Sequence, residues 1–183
     1  MIKQFALGVA LTLTAASAAA QAPAQQAPEP GPMELQPATD VIAALPPALA
    51  GAFALKMPNS PITMYMPKRL GKDPMALVMA TRNSEPAESG NLAEQVRGSF
   101  HESGLRKIVR EGTFSTPKWP NATTFFGEYV AGSGRKQNWT LIDGDVRVSV
   151  MVTFFNAKDA ARLQAEVADK VFGGAVVSAG AKD

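Results

Sequence analysis

The 183-residue sequence contains no cysteine and one histidine, His101. A disulfide framework, a thiolate metal site and a cysteine nucleophile are therefore excluded, as is a zinc site built from several histidines. A bacterial lipoprotein's acylated cysteine is missing too. Long apolar runs are scarce: Phe5 to Ala16 is short of the ~20 residues that span a bilayer. Charge of one sign is scarce as well, with 18 lysines and arginines against 16 acidic residues. No strong field exists to gather nucleic acid, so a nucleic-acid partner is not expected. The G-x-S-x-G signature of an activated serine is also absent.

What the chain does carry first is an address. Lys3 precedes the apolar run Phe5 to Ala16, and Ser17-Ala18-Ala19-Ala20 places small residues where a signal peptidase cuts. A charged start, a short apolar run and an A-x-A end read as a secretory signal peptide over 1–20, with an uncleaved anchor as the alternative. No Arg-Arg pair marks the twin-arginine route. The expected location is periplasmic or secreted, with no membrane span after cleavage.

From 21 to 37 the chain is rich in Pro, Ala and Gln, with Pro23, Pro28, Pro30, Pro32 and Pro37. Such a segment buries little apolar area and is expected to be a disordered tether. A single domain is expected over 38–173, followed by a flexible tail over 174–183. Asp40 or Thr39 can cap a short helix carrying Val41, Ile42 and Leu45, and Pro47 suits the first turn of a second one through Phe53. Ile62 to Met66 alternates and ends at Pro67, and Met75 to Arg82 is mostly apolar; both read as strands. Asn91 with Glu94 resembles a capping box, and Leu92, Val96 and Phe100 give the helix that follows one apolar face, with Gly104 to end it.

Four more strands follow, over 105–115, 123–131, 136–143 and 146–155, with Gly132-Ser133-Gly134 and Asp143-Gly144 as hairpin turns. Asn156 caps a closing helix whose stripe is Ala160, Leu163, Val167 and Val171, and Gly173-Gly174 ends it. The expected fold is α+β: an antiparallel sheet of about six strands in β-β-α-β-β-β-β-α order, covered by helices in a sandwich-like arrangement. This order, carried by Met64-Tyr65-Met66-Pro67, by Leu92, Val96 and Phe100, and by the closing helix, resembles the PsbP-like family. The resemblance implies a non-enzymatic accessory or binding role in a larger assembly and carries over no site residue.

Several short patterns bear on chemistry. His101 adjoins the core residue Phe100 and reads as a surface side chain. Asp143-Gly144-Asp145 lacks the further oxygen ligands of a calcium loop and reads as a turn. Ser115-Thr116-Pro117-Lys118 has S-x-x-K spacing but sits among prolines, without the partner motifs. Gly132-Ser133-Gly134-Arg135-Lys136 sets cations beside glycines without the helix of a phosphate loop. Asn121-Ala122-Thr123 and Asn138-Trp139-Thr140 match the N-glycosylation pattern. None supports a catalytic or metal assignment, and no cofactor is implied. Trp119, Phe125, Phe126, Tyr129, Trp139, Phe154 and Phe155 gather in the meander, either as core or as a ligand or partner surface. The functional expectation is an exported, non-catalytic accessory or binding module of the bacterial envelope, whose partner is an envelope protein or a small apolar ligand. A small periplasmic hydrolase with a carboxylate site is the alternative.

Overall fold

Alternating apolar and polar side chains build a single antiparallel sheet that is wider than the sequence suggested. The computed structural model describes residues 36–82, 94, 95, 98 and 106–181. Its strands are β1 (Gln36–Pro37), β2 (Ala48–Leu49), β3 (Ala52–Lys56), β4 (Ile62–Met66), β5 (Met75–Arg82), β6 (Arg106–Ser115), β7 (Thr123–Ala131), β8 (Gly134–Asp143), β9 (Val146–Phe154) and β10 (Val176–Ala181). Helix α1 spans Thr39–Ala43 and helix α2 spans Ala160–Lys170. The sheet order is β10-β6-β7-β8-β9-β5-β4-β3-β2, and β1 pairs with the end of β5.

This corrects the expected α+β sandwich of about six strands covered by helices. The sheet has ten strands, and α1 and α2 are the two helices whose bounds fall within the described residues. Two segments account for most of the difference. The stretch 47–53 does not continue as a helix, because Ala50 and Gly51 adopt φ of 56° and 75° and turn the chain from β2 into β3. Positive φ at consecutive residues is incompatible with a right-handed helix. The tail is not loose either: Val176 to Ala181 pairs residue by residue with Ser115 to Arg110. Gly112 permits that approach, since a Cβ there would lie 2.0 Å from the Ser178 carbonyl oxygen. The chain also joins the sheet at Gln36, within the segment read as tether, where Gln36 and Pro37 lie opposite Arg82 and Thr81.

The expected helix over Asn91 to Gly104 lies outside the described residues, apart from Glu94, Gln95 and Gly98, which are helical. His101 lies outside them as well. The four strands of the meander fall where alternation placed them. Each of its two hairpins turns on a left-handed glycine, Gly132 (φ 59°) or Gly144 (φ 58°), while Ser133 and Asp145 keep negative φ. This is the type II′ pattern, whose twist matches the flanking strands.

The first face of the sheet carries the core. Val148, Val150 and Val152 of β9 and Ala76, Val78 and Ala80 of β5 are buried there, together with Tyr65, Leu141 and Phe154. Helix α2 covers them with Leu163, Val167 and Val171, the stripe expected from its spacing. Asn156 starts this segment by accepting a hydrogen bond from the Lys158 amide at 3.0 Å. Gly173 and Gly174, at φ 66° and 90°, end it. Just before them, Phe172 drops into an aromatic cluster in which Trp139 stacks on it at 5.6 Å and meets Phe114 and Phe126 edge-on at 5.1 and 4.8 Å.

Candidate functional site

Strand pairing fixes which side chains share the second face. Leu55 lies opposite Met64, Met64 opposite Leu77, and Leu77 opposite Met151. On one side of this row Phe53 lies opposite Met66, and on the other Ile62 lies opposite Met79. Side chains on a strand alternate between faces, so all of these project from the same side. They form an apolar, methionine-rich half-face over β3, β4, β5 and β9. None of them belongs to the core built under α2. Met64, Leu77, Met79 and Met151 are half-buried, while Phe53 is 70% and Leu55 50% exposed. Methionine's flexible thioether adapts to irregular partners, and it is over-used on binding surfaces for that reason.

The other half of the second face is different. Phe125 and Tyr129 of β7 and Ile142 of β8 are buried there, with Ile142 opposite Thr123 and Arg147. The meander aromatics therefore divide in two, as alternation predicts: Phe126, Trp139 and Phe154 enter the core, and Phe125 and Tyr129 are buried on the opposite side. Trp119 lies half-buried against the core, and Phe155 is 38% exposed. The open apolar surface starts at the last strand of the meander, with Met151 on β9, and extends over β5, β4 and β3.

A cleft of about 360 Å³ opens between the β6–β7 loop and the start of β10, lined by Phe114, Thr116, Pro117, Trp119, Pro120 and Val176 among others. Two polar groups at and beside this cleft are engaged. Thr116 donates its hydroxyl to the Phe172 carbonyl, and the Lys118 ammonium sits 4.3 Å from the centre of the Trp119 ring. The S-x-x-K spacing thus falls on a strand end and a turn, with Lys118 placed on an aromatic face.

One ionisable cluster is buried. Glu128, 2% exposed, accepts hydrogen bonds from Arg110 at 2.9 Å, Gln137 at 3.2 Å and Arg135 at 3.3 Å. Gln137 also donates to the Ala160 carbonyl at 2.8 Å, and Arg110 reaches Gln164 on α2. The carboxylate is compensated on both oxygens and ties β6, β7 and β8 to the first turns of α2. This arrangement fixes the helix on the sheet, with the buried charge compensated by its partners.

The other patterns singled out in the sequence are placed by the same strands. Gly144 and Asp145 form the β8–β9 turn, and Asp145 accepts from Arg82 at 3.0 Å. Arg82 also grips Asp40 at 3.1 Å, and that hydrogen bond holds the exposed Asp40 carboxyl below its ordinary range. Gly132 and Ser133 form the β7–β8 turn, and the neighbouring Arg135 is committed to Glu128. Asn121 is exposed, and Asn138 lies opposite Met151 on the second face. The Tyr65 hydroxyl donates to the Pro46 carbonyl at 2.8 Å, and burial pushes its pKa up to about 12. No family model and no curated protein matches this chain.

Proposed function

We propose that this protein is an exported, non-catalytic accessory module of the bacterial cell envelope that binds through the open half of its sheet. The observation that carries the reading is the contrast across β5. Ala76, Val78 and Ala80 are buried in the core shared with α1 and α2, whereas Leu77 and Met79 between them belong to a half-exposed apolar surface. Soluble monomers seldom expose contiguous apolar area of this kind unless it binds something. The leader-like start supports export. The half-face is broad, extending over four strands, which suits an envelope surface better than a small apolar ligand.

The test is fractionation of the exporting host. Wild-type protein should be retained in part with the envelope fraction, and Leu55→Glu should move it into the soluble fraction. Leu55 is exposed, so the substitution leaves the core intact. Identical partition of the two proteins would reject the open-face reading.

A further inference from the structure

Among the described residues, most of the exposed large apolar side chains lie in one stretch of chain where cations outnumber acids. Seven large hydrophobic side chains are exposed among the described residues, and five of them, Phe53, Leu55, Met57, Met66 and Leu70, fall within 53–70. Between 51 and 80 the only charged residues are Lys56, Lys68, Arg69, Lys72 and Asp73, a balance of four basic to one acidic. The chain as a whole is nearly neutral, with 18 basic and 16 acidic residues. The bias is therefore local.

Strand pairing brings part of it to one end of the sheet, while Lys56, opposite Thr63, and Met57 lie toward the other. Phe53 lies opposite Met66 at the end of β4, and the β4–β5 turn beyond Met66 carries Lys68, Arg69, Leu70 and Lys72. Met75, the first residue of β5, lies opposite Thr153, and Thr153 lies opposite Lys136. Phe155 and Lys158 leave β9 from this same end. Leu70, at 68% exposure, stands at the turn itself. The two acids nearby are already engaged, Asp73 with Arg69 at 2.6 Å and Asp159 with Arg162 at 3.0 Å. Lys68, Lys136 and Lys158 form no ion pair among the described residues, and Lys72 shares Asp73 with Arg69, so cations remain in excess here.

We propose that this end of the sheet docks on an anionic lipid surface. The inference rests on the open-face reading and gives it a partner. Apolar side chains ringed by cations are the chemistry of an interfacial anchor: Leu70, Phe53 and Met66 enter the boundary between headgroups and acyl chains, and the lysines meet lipid phosphates. Either contribution alone gives weak, reversible attachment, and the two together give useful affinity. No helix among the described residues is long and apolar enough to cross a membrane, and surface docking requires none.

Co-sedimentation with vesicles tests the assignment, using protein purified from the exporting host. Vesicles of phosphatidylcholine alone are compared with an equal mixture of phosphatidylcholine and phosphatidylglycerol. Binding is expected only to the mixture, and it should weaken steeply as salt is raised and the Debye length shrinks. Each lysine near an anionic surface is worth about a fivefold change in partition, so Lys68→Gln combined with Lys72→Gln should weaken binding by roughly tenfold or more. Leu70→Ser should weaken it several-fold at unchanged charge. All variants share one N-terminus, so a retained leader cannot create these differences, and fluorescence of the buried Trp139 reports that each is folded.

Failure to bind the mixed vesicles overturns the proposal, as does equal binding to both vesicles with no effect of the lysine pair. A concentration-dependent dimer that Leu70→Ser abolishes overturns it in another way, by making a second copy the occupant. If vesicle binding fails while envelope retention still depends on Leu55, the lipid assignment falls and the open-face reading stands. If both fail, the open-face reading falls as well.

Discussion

On β9, Val148, Val150 and Val152 are fully buried in the core that α2 helps to close, while Ser149, Met151 and Thr153 are half-exposed on the reverse of the same strand. The same contrast holds on β5 between Val78 and its neighbours Leu77 and Met79. Apolarity alone therefore does not explain which side of this sheet is closed. The first side is closed because α2 supplies a matching stripe and because Glu128, Gln137 and Arg110 fix where the helix starts. The second side has equally apolar side chains over β3, β4 and β5, and they remain at the surface. Hydrophobic residues inside is a one-way rule, and an exposed apolar patch is the informative exception.

That comparison breaks if the two faces respond alike to truncation. Leu163→Ala, beneath the helix, should cost about 2–5 kcal/mol through lost methyl groups and the cavity they leave. Leu55→Ala, half-exposed on the open face, should cost less than about 1 kcal/mol. Equal losses in chemical denaturation would mean that the open face is as structural as the closed one. Gln164, one position round from Leu163, is not a neutral position either, because Arg110 donates to it.

The next effect concerns the polar exception within the closed face. Glu128→Gln removes the charge shared by Arg110 and Arg135 and should cost about 1–3 kcal/mol. Both arginines reach solvent, at 28% and 35% exposure, so hydration limits the loss. A neutral outcome would show that the apolar stripe alone positions α2.

Tyr65 sharpens the comparison at high pH. Its pKa is raised from 10.0 to about 12 by burial, so its contribution to stability is fully present below the ordinary value and is lost as pH rises through the native one. Tyr65→Phe should cost about 1 kcal/mol at neutral pH, from the lost bond to Pro46, and should flatten the alkaline fall in stability. An unchanged alkaline profile would place the titration elsewhere.

The smallest effect lies at the exposed rim. Asp40 has a depressed pKa, with the hydrogen bond from Arg82 as its largest cause. Its contribution is present above the ordinary carboxylate range and disappears as pH falls through the native value. The melting temperatures of wild type and Asp40→Asn should differ slightly at neutral pH and converge in acid. A difference that persists in acid would assign the effect to α1 itself.

Much of this fold is written in periodicity. The alternation of Val146 to Phe154, the apolar run of Met75 to Arg82 and the spacing of Leu163, Val167 and Val171 each specify an element and its buried side. The strands that periodicity misses are set by partners or by single backbone angles. Ala48 to Lys56 is rich in helix-forming alanine and leucine, yet the left-handed pair Ala50-Gly51 folds it into a hairpin. Val176 to Ala181 has no side-chain pattern strong enough to announce a strand, and only the gap at Gly112 admits it to the sheet. The candidate surface was harder to read than either. Ile62 to Met66 alternates whether its second face is covered or bare, so exposure there depends on elements far away in sequence.

The pairing of β10 with β6 also bears on self-association. A sheet edge offers unpaired amides and carbonyls to any strand that meets it, and the longest edges are the most hazardous. Without its last strand the sheet would end on β6, ten residues long. With it, the sheet ends on six residues, Val-Val-Ser-Ala-Gly-Ala, whose small side chains give an incoming strand little to grip. The C-terminal segment that seemed expendable is thus a cover against templated aggregation, and a protein shortened at Gly174 would keep most of its core while presenting a far more adhesive border.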